Sequence, residues 1–571
     1  MAEVTVGENS FAVDKVKAYR EAQRIRNPLE ADWREVSRLG LPRHYSGWTI
    51  QNGPQTAAGT GAARQSRIAT YDSTLMRALP MYAAVLERIL TPGTQIYHTL
   101  QAQDDRAKQS RAVTLGLEKL NAALFKYRYE FAAGFSNAQA ETYVSGGAYG
   151  NAGKLITWRE PNRQMKRRGG LLYRNIPFRN LFWDIDDDEQ IYNRFRRIDW
   201  TAQQAVLALG DKCPKPIAED AKKTSGADAN KTYEFFHCIC PSQDYDESAL
   251  DYRRHPFGSY YIYVAVPTVV QEASGYSSCP LVISRSATEG GMPYGYGEAQ
   301  TVLSTVGLLN AQKKTWIRSG QLALNPPLLT RDDGVMNGTV DQTPGAANPG
   351  GVDAQGRKMV QAMDVGNVTM AEKLIAMEQD DVKAVLFGKI FEVLKDQPQM
   401  TATQVLDIAA REAGQLAPTM GRYQAEDLGP TVEREISLLA EHGQLAKLEL
   451  PSELSDLEYA PIYTSYLAKS QHSESVSGFM RITEMAMNVA KQTGDNRPVR
   501  RLNFDLALPE IAAQQGVPSR WVKSDEEMAA SDAEAAQRQK TEDMISVAPA
   551  AASVGKAMMD KNGGQTTQLP S

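Results

Sequence analysis

The sequence predicts an α+β protein: helices first, a sheet after them, and then two long helices around an insert with no core of its own. Three observations carry this. Apolar residues recur at helical spacing to about residue 144, after which short β-branched and aromatic runs alternate to about residue 290. Helical pattern over 298–323 and again from Thr369 then brackets a Gly/Pro/Asn-rich stretch, 325–367. No nucleotide-binding or catalytic signature interrupts this plan.

At 571 residues the chain can hold three or four structural units. Its net charge of -5 argues against tight wrapping of nucleic acid, which needs clustered excess Lys and Arg, although nucleic acid can still slide past such a surface. Four Cys in so long a chain point to a reduced compartment and free buried thiols. No secretory leader opens the chain and no apolar run reaches membrane-spanning length. A soluble protein is expected, used inside a cell or in a particle assembled there.

Val13, Val16, Ala22 and Ile25, followed by Trp33, Val36 and Leu39, give the first 45 residues one helical pattern up to Pro42. Residues 46–66 read as a loop. Tyr71–Leu90 is a helix capped by Asp72 or Ser73 and stopped by Thr91-Pro92-Gly93. Leu115–Ala133 and Asn137–Val144 are helices, and Gly146-Gly147-Ala148-Tyr149-Gly150 then leads into strands. These are expected at Lys154–Trp158, Leu171–Tyr173, Leu181–Ile185, Tyr192–Trp200, Tyr233–Cys240, Gly258–Pro267 and Leu281–Ser284. Thr201 caps a helix to Gly210, and 211–230 is a surface loop.

Tyr294-Gly295-Tyr296-Gly297 opens the first long helix, about 26 residues and so roughly 39 Å. Val302, Leu303, Val306 and Leu309 form its apolar side, continued by Trp316, Ile317 and Leu324. In the second, Met370, Leu374, Met377, Val385 and Leu386 recur at helical spacing. Lys389–Met400 interrupts the pattern. Thr401-Ala402-Thr403-Gln404 has capping-box form and starts a helix to about His442, which Gly414, Pro418, Gly421 and Gly429-Pro430 must bend or break. Helix returns over Ser465–Gln492, and the chain ends in a polar, disorder-prone tail.

His237-Cys238-Ile239-Cys240 is the most metal-like cluster, but it lacks a second ligand pair, and a buried strand with free thiols accounts for it better. Gly295-x-Gly297 lacks the remaining dinucleotide glycine and reads as a turn. Asp184, Asp186, Asp187 and Asp188 lack calcium-loop spacing and read as a solvated turn. There is no phosphate-binding loop, nucleophile elbow or zinc-protease motif, and only six His. No catalytic residue, cofactor or metal site is therefore expected. Lys313, Lys314 and Arg318 share one side of the first long helix. A solvated face and a basic ring around a channel remain open for them.

The chain resembles the portal, or head-to-tail connecting, proteins of short-tailed bacteriophages. The resemblance lies in Tyr71-Asp72-Ser73-Thr74, Arg77-Ala78-Leu79, Leu90-Thr91-Pro92, Arg196 with Trp200–Ala205, Cys279–Arg285, the Tyr294–Gly297 turn and Thr401–Gln404. It covers about residues 30–440. Ile96-Tyr97 and Tyr296 depart from the usual pattern. The resemblance implies a portal fold, with an α+β wing to 297, a two-helix stem at 298–324 and 368–388, and a small β-containing clip at 325–367. A tunnel loop at 389–400, a kinked channel helix and C-terminal wing at 401–520, and a helical crown with a disordered tail at 521–571 complete it. It further implies a ring, commonly of twelve copies, at one capsid vertex, through which double-stranded DNA is packaged and ejected. The implied partners are terminase, the tail adaptor, and the major capsid and scaffolding proteins, with assembly in the host cytoplasm and no membrane. Lys389 and Lys395 would lie near the DNA, with Lys313, Lys314 and Arg318 as further channel candidates. The alternatives are another self-assembling head or tail component, an adaptor or scaffold, and a metal-dependent nuclease built on the Asp184–Asp188 run.

Overall fold

The computed structural model describes residues 6–49, most of 70–386, 417–448 and parts of 450–538. Within 70–386 the longest undescribed stretches are 223–230, 331–339 and 364–367. The chain divides into two compact units, fewer than its length suggested. The first comprises Met1–Tyr97, Ala122–Leu448 and Ser465–Leu467. The second comprises His98–Asn121, Glu449–Thr464 and Ala468–Ser571.

The first unit mixes helix and sheet. Its N-terminal helical pattern is three helices, Val6–Arg26, Glu30–Gly40 and Pro42–Thr49. Asn27-Pro28 divides the first two, because proline cannot continue a helical hydrogen-bond ladder. The last helix takes the start of the expected 46–66 loop, whose remainder lies outside the described residues.

A six-stranded antiparallel sheet follows: Leu181–Ile185, Ile191–Thr201, Thr232–Pro241, Phe257–Tyr263 and Thr268–Val269 in that order, with Ser274–Tyr276 also pairing with Phe257–Tyr263. Period-two alternation sorts its two faces. Phe236, Cys238 and Cys240 pack with Ala12, Val16, Tyr19 and Ala22 of the first helix. Tyr233 and Phe235 pack on the other side with Ala202, Ala205, Leu209 and Ile217. The Thr201 hydroxyl accepts from Gln204 N in a complete capping box. The expected loop after Gly210 contains a short helix, Lys215–Ala221.

A second sheet orders Leu281–Arg285, Asn151–Arg159 and Gly170–Asn175. Its core joins Ile156, Leu171, Tyr173 and Val282 to Phe135 and Ala138 of helix Phe135–Tyr149 and to Leu438. Burying each such side chain contributes about 1.5–3 kcal/mol. The Tyr294–Gly297 turn crosses the end of that helix almost backbone on backbone. A Cβ at Gly297 would sit 2.6 Å from Gly150 N and 2.7 Å from Gly147 O, so only glycine fits. Asn151 locks the crossing by donating to Gly295 O at 2.9 Å and accepting from Gly295 N at 2.8 Å.

In the second unit, His98–Ala102 pairs antiparallel with Tyr459–Tyr463, a pairing the sequence pattern does not announce. Asn121 Nδ2 donates to His98 O at 3.0 Å. Phe479 lies edge-on to Phe504 at 5.9 Å. No described helix is long and apolar enough to cross a membrane.

Candidate functional site

The first long helical stretch is Glu298–Thr301 and Leu303–Leu324, broken at Val302, where φ is -100° and ψ is 6°. The second is Val368–Val385. They pack together, and Gln312 Nε2 donates to Glu378 Oε1 at 3.0 Å. Val302, Val306 and Leu309 are buried as their spacing predicts. On the second helix and just past its end the buried set is Ile375, Val382 and Leu386, whereas Leu374, Met377 and Val385 are exposed. The expected apolar face is therefore offset, and two apolar stripes exist of which the single chain buries one.

The insert between these helices carries a two-stranded ladder, Leu328↔Ala362 to Thr330↔Val360, closed by Met363 N donating to Pro327 O at 2.9 Å. Its loop is held by local bonds. Asp341 accepts from Thr343 N and its hydroxyl, and Asp353 accepts from the backbone of Gln355 and Arg357. None of its described residues is buried.

Asp72 fastens the root of these helices. Its carboxylate accepts from Lys313 Nζ at 2.9 Å, Gln379 Nε2 at 2.9 Å and Thr74 N at 2.9 Å. Asn310 Oδ1 accepts from Tyr71 N at 2.7 Å. Burial opposes ionisation of Asp72, but these donors win and hold its carboxyl below the ordinary range. The sequence candidates thus divide. Lys313 is paired with Asp72, Lys314 lies 5.6 Å from the centre of the Tyr71 ring, and Arg318 is exposed. Lys389 and Lys395 lie outside the described residues, as do the whole 389–400 segment and the Thr401–Gln404 cap.

The kinked helix is described from Ala417. It runs α to Tyr423, makes a π-turn over Gln424–Leu428, and resumes α from Gly429 to Glu441. Pro430 has no N–H to bond Glu426 O and would clash with it, and the wider turn absorbs this without ending the helix. The expected break at Gly429-Pro430 is thus a bulge.

Around that bulge, three carboxylates tie the helix into the first unit. Glu426 pairs with Arg285 at 2.8 Å and Arg422 at 2.9 Å. Asp427 pairs with Lys154 at 3.0 Å and accepts from Gln139 at 2.6 Å. Glu435 pairs with Arg128 at 2.6 Å and accepts from Tyr173 Oη at 2.5 Å, while Arg128 also donates to Tyr97 Oη at 2.7 Å. Burial pulls the Lys154 ammonium down against the opposing charge of Asp427. At Arg128 burial pulls the same way, but Glu435 outweighs it and the guanidinium is raised.

Sequence reasoning missed all these carboxylates. One signal was available: Leu428, Val432, Glu435 and Leu439 are spaced as one apolar stripe, and a Glu inside such a stripe needs a buried partner.

The remaining motifs have structural partners. His237 Nε2 is 2.8 Å from Ser259 Oγ and its ring stacks on Tyr261, while Cys238 and Cys240 are buried and free. Asp184 accepts from Asn193 N and Nδ2, and Asp186 from Gln190 N. Among the described residues no group of three or more His, Cys, Asp or Glu is arranged for a metal ion.

Residues 15–522 match the family described as bacteriophage head to tail connecting protein. The chain is similar to a probable portal protein of Bordetella phage BPP-1, 24% identical over 454 residues, which cover 77% of this chain and 76% of that protein. It is also similar to a portal protein of Salmonella phage epsilon15, 22% identical over 358 residues, 60% of this chain and 62% of that protein. The chain therefore belongs to the family of bacteriophage head-to-tail connecting proteins, which are structural components of the virion at the capsid–tail junction and not enzymes.

Proposed function

We propose that copies of this chain close into a ring, commonly of twelve, at one capsid vertex, and that double-stranded DNA enters and leaves through its centre. The observation that carries this is the paired long helices with an insert none of whose described residues is buried. Leu324 is 89% exposed and Met377 66% exposed, apolar surface that the described residues leave uncovered and that a neighbouring copy would cover. Cyclic closure supplies it with repeated copies of one interface. In this reading residues 325–367 form the clip that meets terminase during packaging and the tail adaptor afterwards. Contacts with the major capsid and scaffolding proteins belong to the wing.

DNA must slide, so its contacts are weak, few and repeated. Lys389 and Lys395 are assigned to the channel with Arg318, whereas Lys313 and Lys314 first serve the stem root through Asp72 and Tyr71. The assignment is tested by labelling the chain and imaging assembled particles. One label cluster per capsid, at the tail vertex, is expected. Label spread over the shell or along the tail would overturn it.

A further inference from the structure

We propose that Glu298 is a proton-dependent latch between the root of the first long helix and the kinked helix, closing when its carboxyl is protonated and loosening when it ionises. The proposal concerns the fold of the single chain and does not depend on the ring or on DNA.

Glu298 opens the first turn after Gly297, the turn whose backbone is trapped against Gly147 and Gly150. Its Oε2 is buried with no hydrogen-bond partner among the described residues. Two phenols from different elements face it: Tyr82 of helix Thr74–Leu90 and Tyr423, the last residue before the π-turn. Tyr423 is fixed from behind by Ser286 Oγ at 3.0 Å and lies edge-on to Tyr143 at 5.5 Å. The carboxyl therefore sits where the long helix, the kinked helix and helix Phe135–Tyr149 meet.

Among the described residues no cation pairs with it. The charged groups on the surrounding elements are engaged elsewhere: Asp427 with Lys154, Glu426 with Arg285 and Arg422, Arg34 with Glu30, and Arg38 with Glu35. Arg77 and Arg88 of the Tyr82 helix are exposed. A protonated carboxyl carries no charge to desolvate there, whereas an ionised one leaves a charge among phenols and apolar groups. The break at Val302, four residues on, gives the turn freedom to swing that charge toward water.

Burial pushes the Glu298 carboxyl up to about 7, against hydrogen bonds from its own backbone and from Tyr82 that pull it down. A carboxyl raised in the closed state binds more protons there than when open. Closure therefore strengthens as pH falls through about 7 toward the ordinary 4.5 and weakens as pH rises through 7.

Hydrogen exchange of the full-length protein, corrected for intrinsic rates, tests this between pH 8 and 5.5. In the parent, protection over 298–324 and 417–428 should rise on the order of twentyfold, the rise beginning near pH 7. Glu298→Gln should be flat and as protected as the acid form. Equal pH dependence in parent and variant, or none in the parent, would overturn the latch. Tyr82→Phe provides a second reading if Glu298→Gln does not fold. Losing that hydroxyl should raise the pH at which protection begins to rise, and an unchanged onset would count against the proposal.

Discussion

The Arg128–Glu435 pair shows what single residues contribute here. Both side chains are removed from water, and Tyr97 and Tyr173 complete their hydrogen bonds. Removing one partner strands a buried charge, so Glu435→Ala should cost about 3–5 kcal/mol of stability. Arg128→Met with Glu435→Leu should recover much of that loss, because no charge is then left to desolvate. Denaturant unfolding of the parent, the single variant and the double variant gives the comparison. Equal loss in the single and double variants would mean that packing, and not the unpaired charge, sets the cost.

Asp72 gives a pH signature of opposite sign to that of Glu298. Its folded carboxyl is depressed, so its contribution is present above the unfolded value near 3.8 and lost as pH falls through the folded value. Exchange over 303–324 should therefore accelerate below about pH 4 in the parent and much less in Asp72→Asn. A parent whose exchange there ignores acid would rule out Asp72 as the fastener. At this scale the sequence was least legible. Lys313 and Lys314 were visible as a basic side, but their partners lie some 240 positions away and no local pattern couples them.

Elements were far more legible, because their signals are local. The strand at Leu181–Ile185 and the Thr201 capping box follow from a short aromatic and β-branched run and from one hydroxyl with one amide. His98–Ala102 and Tyr459–Tyr463 escaped because the mixed polarity of the first and Pro461 in the second weaken the strand pattern, and pairing over 361 positions supplies what propensity does not. The offset face of the second long helix has another cause: periodicity reports every apolar stripe, including one the single chain leaves exposed. The insert offers the element-scale prediction. Deleting 335–355 removes a segment whose described residues, 340–355, are held by turns and local bonds, so the first unit should keep its thermal midpoint within a degree or two of the parent, by the usual scale of surface changes. Tailed infectious particles should disappear. Normal yields would remove the insert from docking.

For the whole molecule, family membership and the α+β plan were both readable, since order and spacing of weak motifs survive where single motifs do not. The proposed channel is not readable from one copy, because the proposed ring would multiply whatever one chain presents. Lys389→Ala with Lys395→Ala should leave assembly intact and lower packaged DNA per particle, more so at low salt, since exposed charges are screened over roughly 10 Å at 0.1 M. Equal DNA content at every ionic strength would exclude these lysines.

Closure itself is the central claim, and the most direct measurement is electron microscopy of the purified chain, viewed down its symmetry axis, with native mass of the same sample. The account predicts a closed ring with a central hole and a mass that is a fixed multiple of one chain. Only monomers and dimers at micromolar concentration, with no ring in particles, would contradict it.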